Sequence, residues 1–198
     1  MEFSEGQITI LLRRITAGDT GAESELVTLV YDQLHRMARH QLQMERRGHT
    51  LQPTALVSEL YVRLKFDQSI DWQDRTHLFS VVASNLRRIL VDYARARNAQ
   101  RRPPSGRGVE LEEAFACSND HPAAFLIANQ ALDCLAQFDA RQAKIVELRV
   151  FAGLTTEEAA AALGISERTV KRDWKMARAW LSEYLTQNPA GASGDEPK

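Results

Sequence analysis

The most specific spacing in the sequence lies between Ser166 and Arg178, where five basic residues outnumber two acids and give a net charge of +3. Upstream, Thr155 or Thr156 can cap a short alanine-rich helix. Gly164 can make the turn that ends this helix, and Ser166 can cap a second, basic helix. In such a helix-turn-helix, early side chains of the second helix contact base edges, and later Lys and Arg residues bind phosphates. The predicted DNA contacts are Ser166, Glu167, Arg168, Thr169, Lys171, Arg172 and Lys175.

A second basic segment runs from Asn85 to Arg107, where seven arginines and one aspartate give a net charge of +6. Residues spaced i, i+3, i+7 and i+10 share one face of a helix. Four residues of the segment have this spacing, and they are Asn85, Arg88, Asp92 and Arg95. Cations clustered on one helix are typical of phosphate binding, although such clusters also form ordinary solvated faces.

The composition excludes several classes of protein. The 198 residues are 44% hydrophobic and 26% charged, which excludes wholesale disorder, collagen-like sequence and a disulfide-stapled scaffold. Cys117 and Cys134 match no paired zinc spacing, and we expect two reduced thiols. No apolar run approaches the ~18–20 residues that cross a bilayer, and the N-terminus is acidic where a signal peptide is basic. We expect a cytoplasmic protein with no membrane contact, metal, cofactor or small-molecule substrate.

Apolar residues recur with helical spacing through most of the chain, and they predict an all-α fold. The first helix should stop near Gly18 and the second around Gly48. The third should be opened by Pro53, and the fourth should run from about Thr76 to Arg97. Prolines and glycines between Arg101 and Gly108 then interrupt the pattern. The prediction is two small helical domains at 1–98 and 123–187, a flexible linker at 99–122, and a disordered tail at 188–198.

Two stretches resemble regions of the bacterial sigma-70 family of RNA polymerase sigma factors. Residues 138–153 read FDARQAKIVELRVFAG and, with the helix-turn-helix that follows, resemble region four, which reads the minus-thirty-five promoter element. Residues 77–97 read HLFSVVASNLRRILVDYARAR and resemble region two, which melts and captures the minus-ten element. The chain has no room for the family's other regions, so the resemblance is to the small extracytoplasmic-function (ECF) type.

The resemblance implies core RNA polymerase as a partner, through its β′ clamp helices and β flap, together with promoter DNA. It assigns minus-ten contacts to Trp72, Asn85, Arg88, Asp92 and Arg95. The loop carrying Trp72 would capture a flipped base, and the alternative is that Trp72 is an ordinary packing aromatic. Residues 108–139 contain six acids and no Lys or Arg. The acidic linker within this stretch contains Glu110, Glu112 and Glu113. It would suit the family's path through the positively charged polymerase interior, and it would keep the two DNA-binding patches from folding onto each other's phosphate sites.

One short segment departs from the family pattern. Most members carry an acidic D-A-E-D-like quartet that docks on the β′ clamp helices, whereas the aligned residues here are 52–55, QPTA. A phosphate on Thr54 would restore about −1.5 to −2 charges in the first turn of a helix, where an anion is favoured. We therefore hypothesise that a Ser/Thr protein kinase activates the protein through Thr54, with Ser58 as the alternative site. The alternative is that Thr54 merely caps the helix and Glu59 suffices. The predicted polymerase contacts are Gln52, Thr54, Ala55, Ser58, Glu59 and Arg63.

Other function classes compete with this interpretation. An enzyme is disfavoured, because the five histidines are scattered and the chain has neither a phosphate-binding glycine loop nor a nucleophile elbow. The main alternative is a conventional helix-turn-helix regulator with an N-terminal interaction domain, which should bind duplex DNA without polymerase. A third possibility is a protein-interaction adaptor, for which the run from Arg95 to Arg102 would be dispensable.

Overall fold

The computed structural model describes residues 5–43, 52–64, 72, 74–99, 111–115 and 122–188. Within these residues the chain forms nine helices and no strand, so the predicted all-α fold is confirmed. The helices are α1 (Glu5–Thr16), α2 (Thr20–Gln43), α3 (Pro53–Leu64), α4 (Arg75–Ala99), α5 (Leu111–Phe115), α6 (Pro122–Phe138), α7 (Ala140–Val150), α8 (Thr156–Leu163) and α9 (Glu167–Gln187).

Helices α1 to α4 form a first bundle around their apolar faces. After α1 the chain turns at Gly18, whose φ of +88° suits glycine, and the Asp19 carboxylate accepts hydrogen bonds from two N–H groups at the start of α2. Helix α3 begins at Pro53, as predicted. Leu56 and Leu60 of α3 lie in the core, whereas Tyr61 is 45% exposed.

Helices α6 to α9 form a second bundle, in which α6 and α7 support the helix-turn-helix of α8 and α9. Asp139 caps α7, because its carboxylate accepts a hydrogen bond from the N–H of Gln142 at 3.0 Å. Phe125 and Phe151 are fully buried and meet edge to face, with ring centroids 6.5 Å apart.

The short helix α5 lies inside the stretch predicted to be a flexible linker. Leu111, Ala114 and Phe115 are buried, and the helix contacts α6 and α9. Five residues of the connector are therefore structured, because their apolar side chains leave water by packing on the second bundle. The rest of the predicted linker, the predicted end of the second helix near Gly48, and the predicted tail beyond Asn188 lie outside the described residues.

The two bundles contact each other through α4, which packs against α6, α7 and α8. Arg87 on α4 forms an ion pair with Asp133 on α6, with 2.7 Å between Nη2 and Oδ1. Ser84 on α4 donates a hydrogen bond to Glu147 on α7 at 3.0 Å. Asp133 belongs to the acidic stretch at 108–139, and its carboxylate pairs with an arginine of the first basic segment where the two bundles meet. The expectation for the acidic linker, which lies mostly outside the described residues, stays a prediction.

Candidate nucleic-acid and polymerase interface

The helix-turn-helix is built by caps that the sequence predicted. Thr155 is the cap of α8, and it forms a capping box with Glu158, in which each side chain bonds the other residue's N–H, at 3.1 and 2.8 Å. Gly164 ends α8 in the left-handed conformation, with φ of +62°. Ser166 caps α9 by accepting a hydrogen bond from the N–H of Thr169 at 3.2 Å. The turn is therefore defined by local chemistry at both of its ends.

The predicted DNA contacts lie on the open side of α9. Val170 and Ala177 are fully buried against the bundle, while the charged residues of the N-terminal half point to solvent. The exposed residues are Ser166, Glu167, Arg168, Lys171, Arg172 and Lys175. Thr169 is half-buried, and its hydroxyl lies 2.9 Å from that of Ser166. The arrangement presents cations at the end of the helix-turn-helix that enters a DNA groove in such proteins.

Asp173 is a positioning residue that the sequence analysis missed. Its side chain is only 1% exposed although it lies between basic residues on a charged helix. The carboxylate accepts hydrogen bonds from Arg141 of α7 at 2.7 Å and from Arg172 at 2.9 Å. This network ties α9 to α7 and orients Arg172, one of the predicted DNA contacts. Helical spacing could have indicated that residue 173 follows Val170 by three positions on the buried face.

Trp174 of α9 makes a cation–π contact with an arginine of α7. The guanidinium of Arg149 on α7 lies over its ring, 4.3 Å from the centroid. Burial lowers the pKa of Arg149 below its usual range, and the nearby positive charge of Arg178 adds to this effect. Trp174 is half-buried, and this arginine covers one face of its indole.

The predicted minus-ten residues on α4 share one face of the helix. Arg88, Asp92 and Arg95 are exposed, and Asn85 is half-buried with its amide donating to the Val81 carbonyl at 3.0 Å. Asp92 accepts a hydrogen bond from Arg63 of α3 at 2.9 Å. The structure therefore brings these four residues together beside α3, as their spacing predicted.

Trp72, the fifth predicted minus-ten residue, does not lie on that face. Its side chain is 2% exposed, and its ring centroid lies 5.7 Å from that of His77 at the start of α4. A base cannot stack on an indole that the core already encloses, so the prediction of a DNA contact is corrected in favour of the packing alternative. Residues 65–71 and 73, which hold most of the predicted base-capturing loop, lie outside the described residues.

The start of α3 carries the predicted polymerase contacts. The first turn contains no acidic side chain, and Gln52, Thr54 and Ala55 are exposed. The Ser58 hydroxyl donates to the Thr54 carbonyl at 2.9 Å. Further along, Glu59 pairs with Arg63 at 3.0 Å. Hydrogen bonds from Arg63 to Asp92, and then to Glu59, raise its pKa above the usual range, against the opposing effect of burial.

The described part of the chain offers little for a metal, a membrane or redox chemistry. No group of three or more His, Cys, Asp or Glu side chains there is arranged to hold a metal ion. No described helix is long and apolar enough to span a membrane. Cys134 is a free thiol, 3.9 Å from the hydroxyl of Tyr184, whereas Cys117 lies outside the described residues.

These features define a two-bundle helical protein with a helix-turn-helix in its second half. The family model for ECF sigma factors matches residues 5–187. The chain therefore belongs to the ECF sigma factor family, and its function is that of a non-enzymatic RNA polymerase sigma factor that acts in transcription initiation at promoter DNA.

Other comparisons add little to this assignment. A search among curated proteins gave no match. Among solved structures, CnrH in complex with the cytosolic domain of CnrY is 21% identical, covering 92% of this chain and 99% of that chain, with a TM-score of 0.38. The fold assignment rests on the helices of this chain.

Proposed function

We propose that this sigma factor contacts the minus-thirty-five element with the N-terminal half of α9 and the minus-ten element with the exposed face of α4. We further propose that it docks on the β′ clamp helices through the start of α3, and that a Ser/Thr protein kinase activates this docking by phosphorylating Thr54. The proposal that phosphorylation of Thr54 activates docking rests on one observation: the first turn of α3 contains no acidic side chain.

The position of Thr54 suits a phosphate. The side chain is exposed in the first turn of α3, where a kinase can reach it. The N–H of Leu56 donates to the Gln52 carbonyl at 3.0 Å, so the N–H groups of Thr54 and Ala55 belong to the unsatisfied start of the helix. An anion placed there meets these N–H groups and the positive end of the helix dipole.

Neighbouring groups are poor substitutes for that phosphate. Glu59 lies more than one turn further along, and Arg63 neutralises its carboxylate at 3.0 Å. The Ser58 hydroxyl already donates to the Thr54 carbonyl, and it lies one turn inside the helix, where few free N–H groups remain. The alternative that Glu59 alone suffices for docking is therefore disfavoured by its ion pair.

The test measures binding to core RNA polymerase and run-off transcription for Thr54→Glu, Thr54→Ala and wild type. One added carboxylate on a surface that meets a basic partner is worth up to about 1 kcal/mol, so Thr54→Glu should bind about fivefold more tightly than wild type. A kinase-phosphorylated protein should exceed this value, because phosphate carries more charge. Thr54→Ala should match the unphosphorylated wild type.

Ser58→Glu is the matched control, because it adds the same charge to the same helix away from its first turn. It should raise affinity less than Thr54→Glu does. Equal binding by Thr54→Glu and Thr54→Ala would refute the phosphorylation proposal. Promoter binding without polymerase, combined with the absence of any run-off transcript from all variants, would instead identify a conventional helix-turn-helix regulator.

A further inference from the structure

A cavity of about 430 Å³ lies where the end of α2 meets α5, α7 and α9. Its wall is mostly apolar, with side chains that include Phe115, Val146, Leu154, Trp174 and Leu181. Pockets that bind small organic molecules have volumes of about 300–1,000 Å³ and apolar walls with a few polar groups. The cavity therefore has the size and the lining of a small-molecule site.

Contacts between distant segments form one side of this cavity. The side-chain amide of Gln41 on α2 donates a hydrogen bond to the Val150 carbonyl on α7. The His40 ring lies so close to Gly153 that a Cβ on this glycine would be 3.6 Å from the ring. Gly153 also has a φ of +64°, which favours glycine. Packed structure therefore bounds the cavity on the side of α2.

The wall of the cavity carries two arginines, Arg149 of α7 and Arg178 of α9. The Nε of Arg149 is buried and has no hydrogen-bond partner in the described part of the chain. Burial lowers the pKa of Arg149, and the positive charge of Arg178 lowers it further. The described residues that line the cavity include no Asp or Glu. Because a buried donor without an acceptor is destabilising, this guanidinium is a candidate partner for a bound anion.

The geometry around Arg149 favours a carboxylate as that anion. The Trp174 ring covers one face of the guanidinium, with 4.3 Å between the ring centroid and Cζ. An anion therefore binds best at the edge of the guanidinium, in its plane. A planar carboxylate forms two parallel hydrogen bonds in that plane, and the apolar wall beside it favours a hydrocarbon group over water. A free inorganic phosphate would leave this apolar wall without a partner.

We propose that the cavity between α2, α5, α7 and α9 binds an organic monocarboxylate with an apolar chain, such as a medium-chain fatty acid. Arg149 and Arg178 hold the carboxylate, and Phe115, Trp174 and Leu181 contact the chain. None of the predicted promoter or polymerase contacts lines the cavity, so this inference goes beyond the proposed function and does not depend on it.

The test titrates the full chain with decanoate by isothermal titration calorimetry, and with decanol as an uncharged ligand of the same chain length. Arg149→Gln removes the guanidinium whose Nε has no partner. Arg178→Gln removes the second charge from an exposed position of α9, so the core of this variant is intact. Arg13→Gln is the matched control, because Arg13 is exposed on α1 and does not line the cavity. Thermal melting of each variant checks that it is folded.

Wild type and Arg13→Gln should bind decanoate with equal affinity, and both should bind decanol about tenfold more weakly, since the charged hydrogen bonds are lost. Arg149→Gln should bind decanoate about tenfold more weakly than Arg13→Gln does, for the same reason. Arg178→Gln should weaken binding by a smaller factor, because its side chain is exposed to water.

Equal binding of decanoate by Arg178→Gln and Arg13→Gln would overturn the proposal, and this comparison holds even if Arg149→Gln fails to fold. Equal affinities of wild type for decanoate and decanol would also overturn it, since the arginines would then have no part in binding. The absence of any decanoate binding by wild type would do the same. The titration contains neither DNA nor polymerase, so its failure would leave the proposed function intact.

Discussion

Replacing Asp173 by Asn should destabilise the second bundle and weaken the attachment of α9 to α7. The Asp173 carboxylate is 1% exposed and accepts hydrogen bonds from Arg141 at 2.7 Å and from Arg172 at 2.9 Å. Removing one partner of a fully buried ion pair costs about 3–5 kcal/mol. Here the arginine side chains are 49% and 61% exposed, so water can solvate them after the change. We expect a loss of about 2 kcal/mol, discounted for that exposure.

The assay is urea unfolding followed by circular dichroism, supported by thermal melting. A loss of about 2 kcal/mol corresponds to a Tm decrease of about 4–8 °C for a chain of this size. Glu183→Gln removes a carboxylate from an exposed position of the same helix and should change stability by less than about 0.5 kcal/mol. If Asp173→Asn lowers the free energy of unfolding no more than Glu183→Gln does, the ion pairs of Asp173 do not hold α9 in place. Purely additive effects of Asp173→Asn and Arg141→Gln would likewise refute the coupling between them.

Two further predictions concern the first bundle. Trp72→Ala should lower the free energy of unfolding by about 3–5 kcal/mol, because the indole is buried, and urea unfolding measures this loss. Unchanged stability combined with weaker promoter melting would restore Trp72 as a DNA contact. Asp19→Asn should lower stability at neutral pH, since a hydrogen bond from Arg14 holds the pKa of Asp19 below its usual range. That contribution is present above the unfolded pKa and is lost as the pH falls through the folded pKa, so the two melting curves should converge in acid. A difference that persists at low pH would contradict this account.

Local signals in the sequence predicted most of the helices and the caps of the helix-turn-helix. Gly164 ends a helix because its αL conformation suits glycine, and Ser166 begins one because its hydroxyl accepts a backbone hydrogen bond. Such signals involve residues fewer than five positions apart. For the same reason the exposed side of α9 could be predicted, since helical spacing alone separates it from the buried side.

Packing between distant segments could not be predicted in this way. The ring of Phe138 lies 6.0 Å from that of Trp180, yet Phe138 is 79% exposed, which its apolar character does not predict. Trp72 had two possible environments, and only the surrounding core decided between them. The ion pair of Asp173 with Arg141 could not be predicted either, because the two residues lie 32 positions apart and nothing near Asp173 in the sequence shows that Arg141 lies across from it.

The sequence by itself determined that this chain is helical, that it carries two basic segments, and that the start of its third helix lacks the family's acidic quartet. These properties depend on residue types and on short spacings along one helix. Only the tertiary structure decided that Arg87 is covered by Asn129 and Asp133, which lie more than forty positions later in the sequence. Such a contact depends on how the two folded bundles pack against each other, and local sequence patterns do not predict that packing.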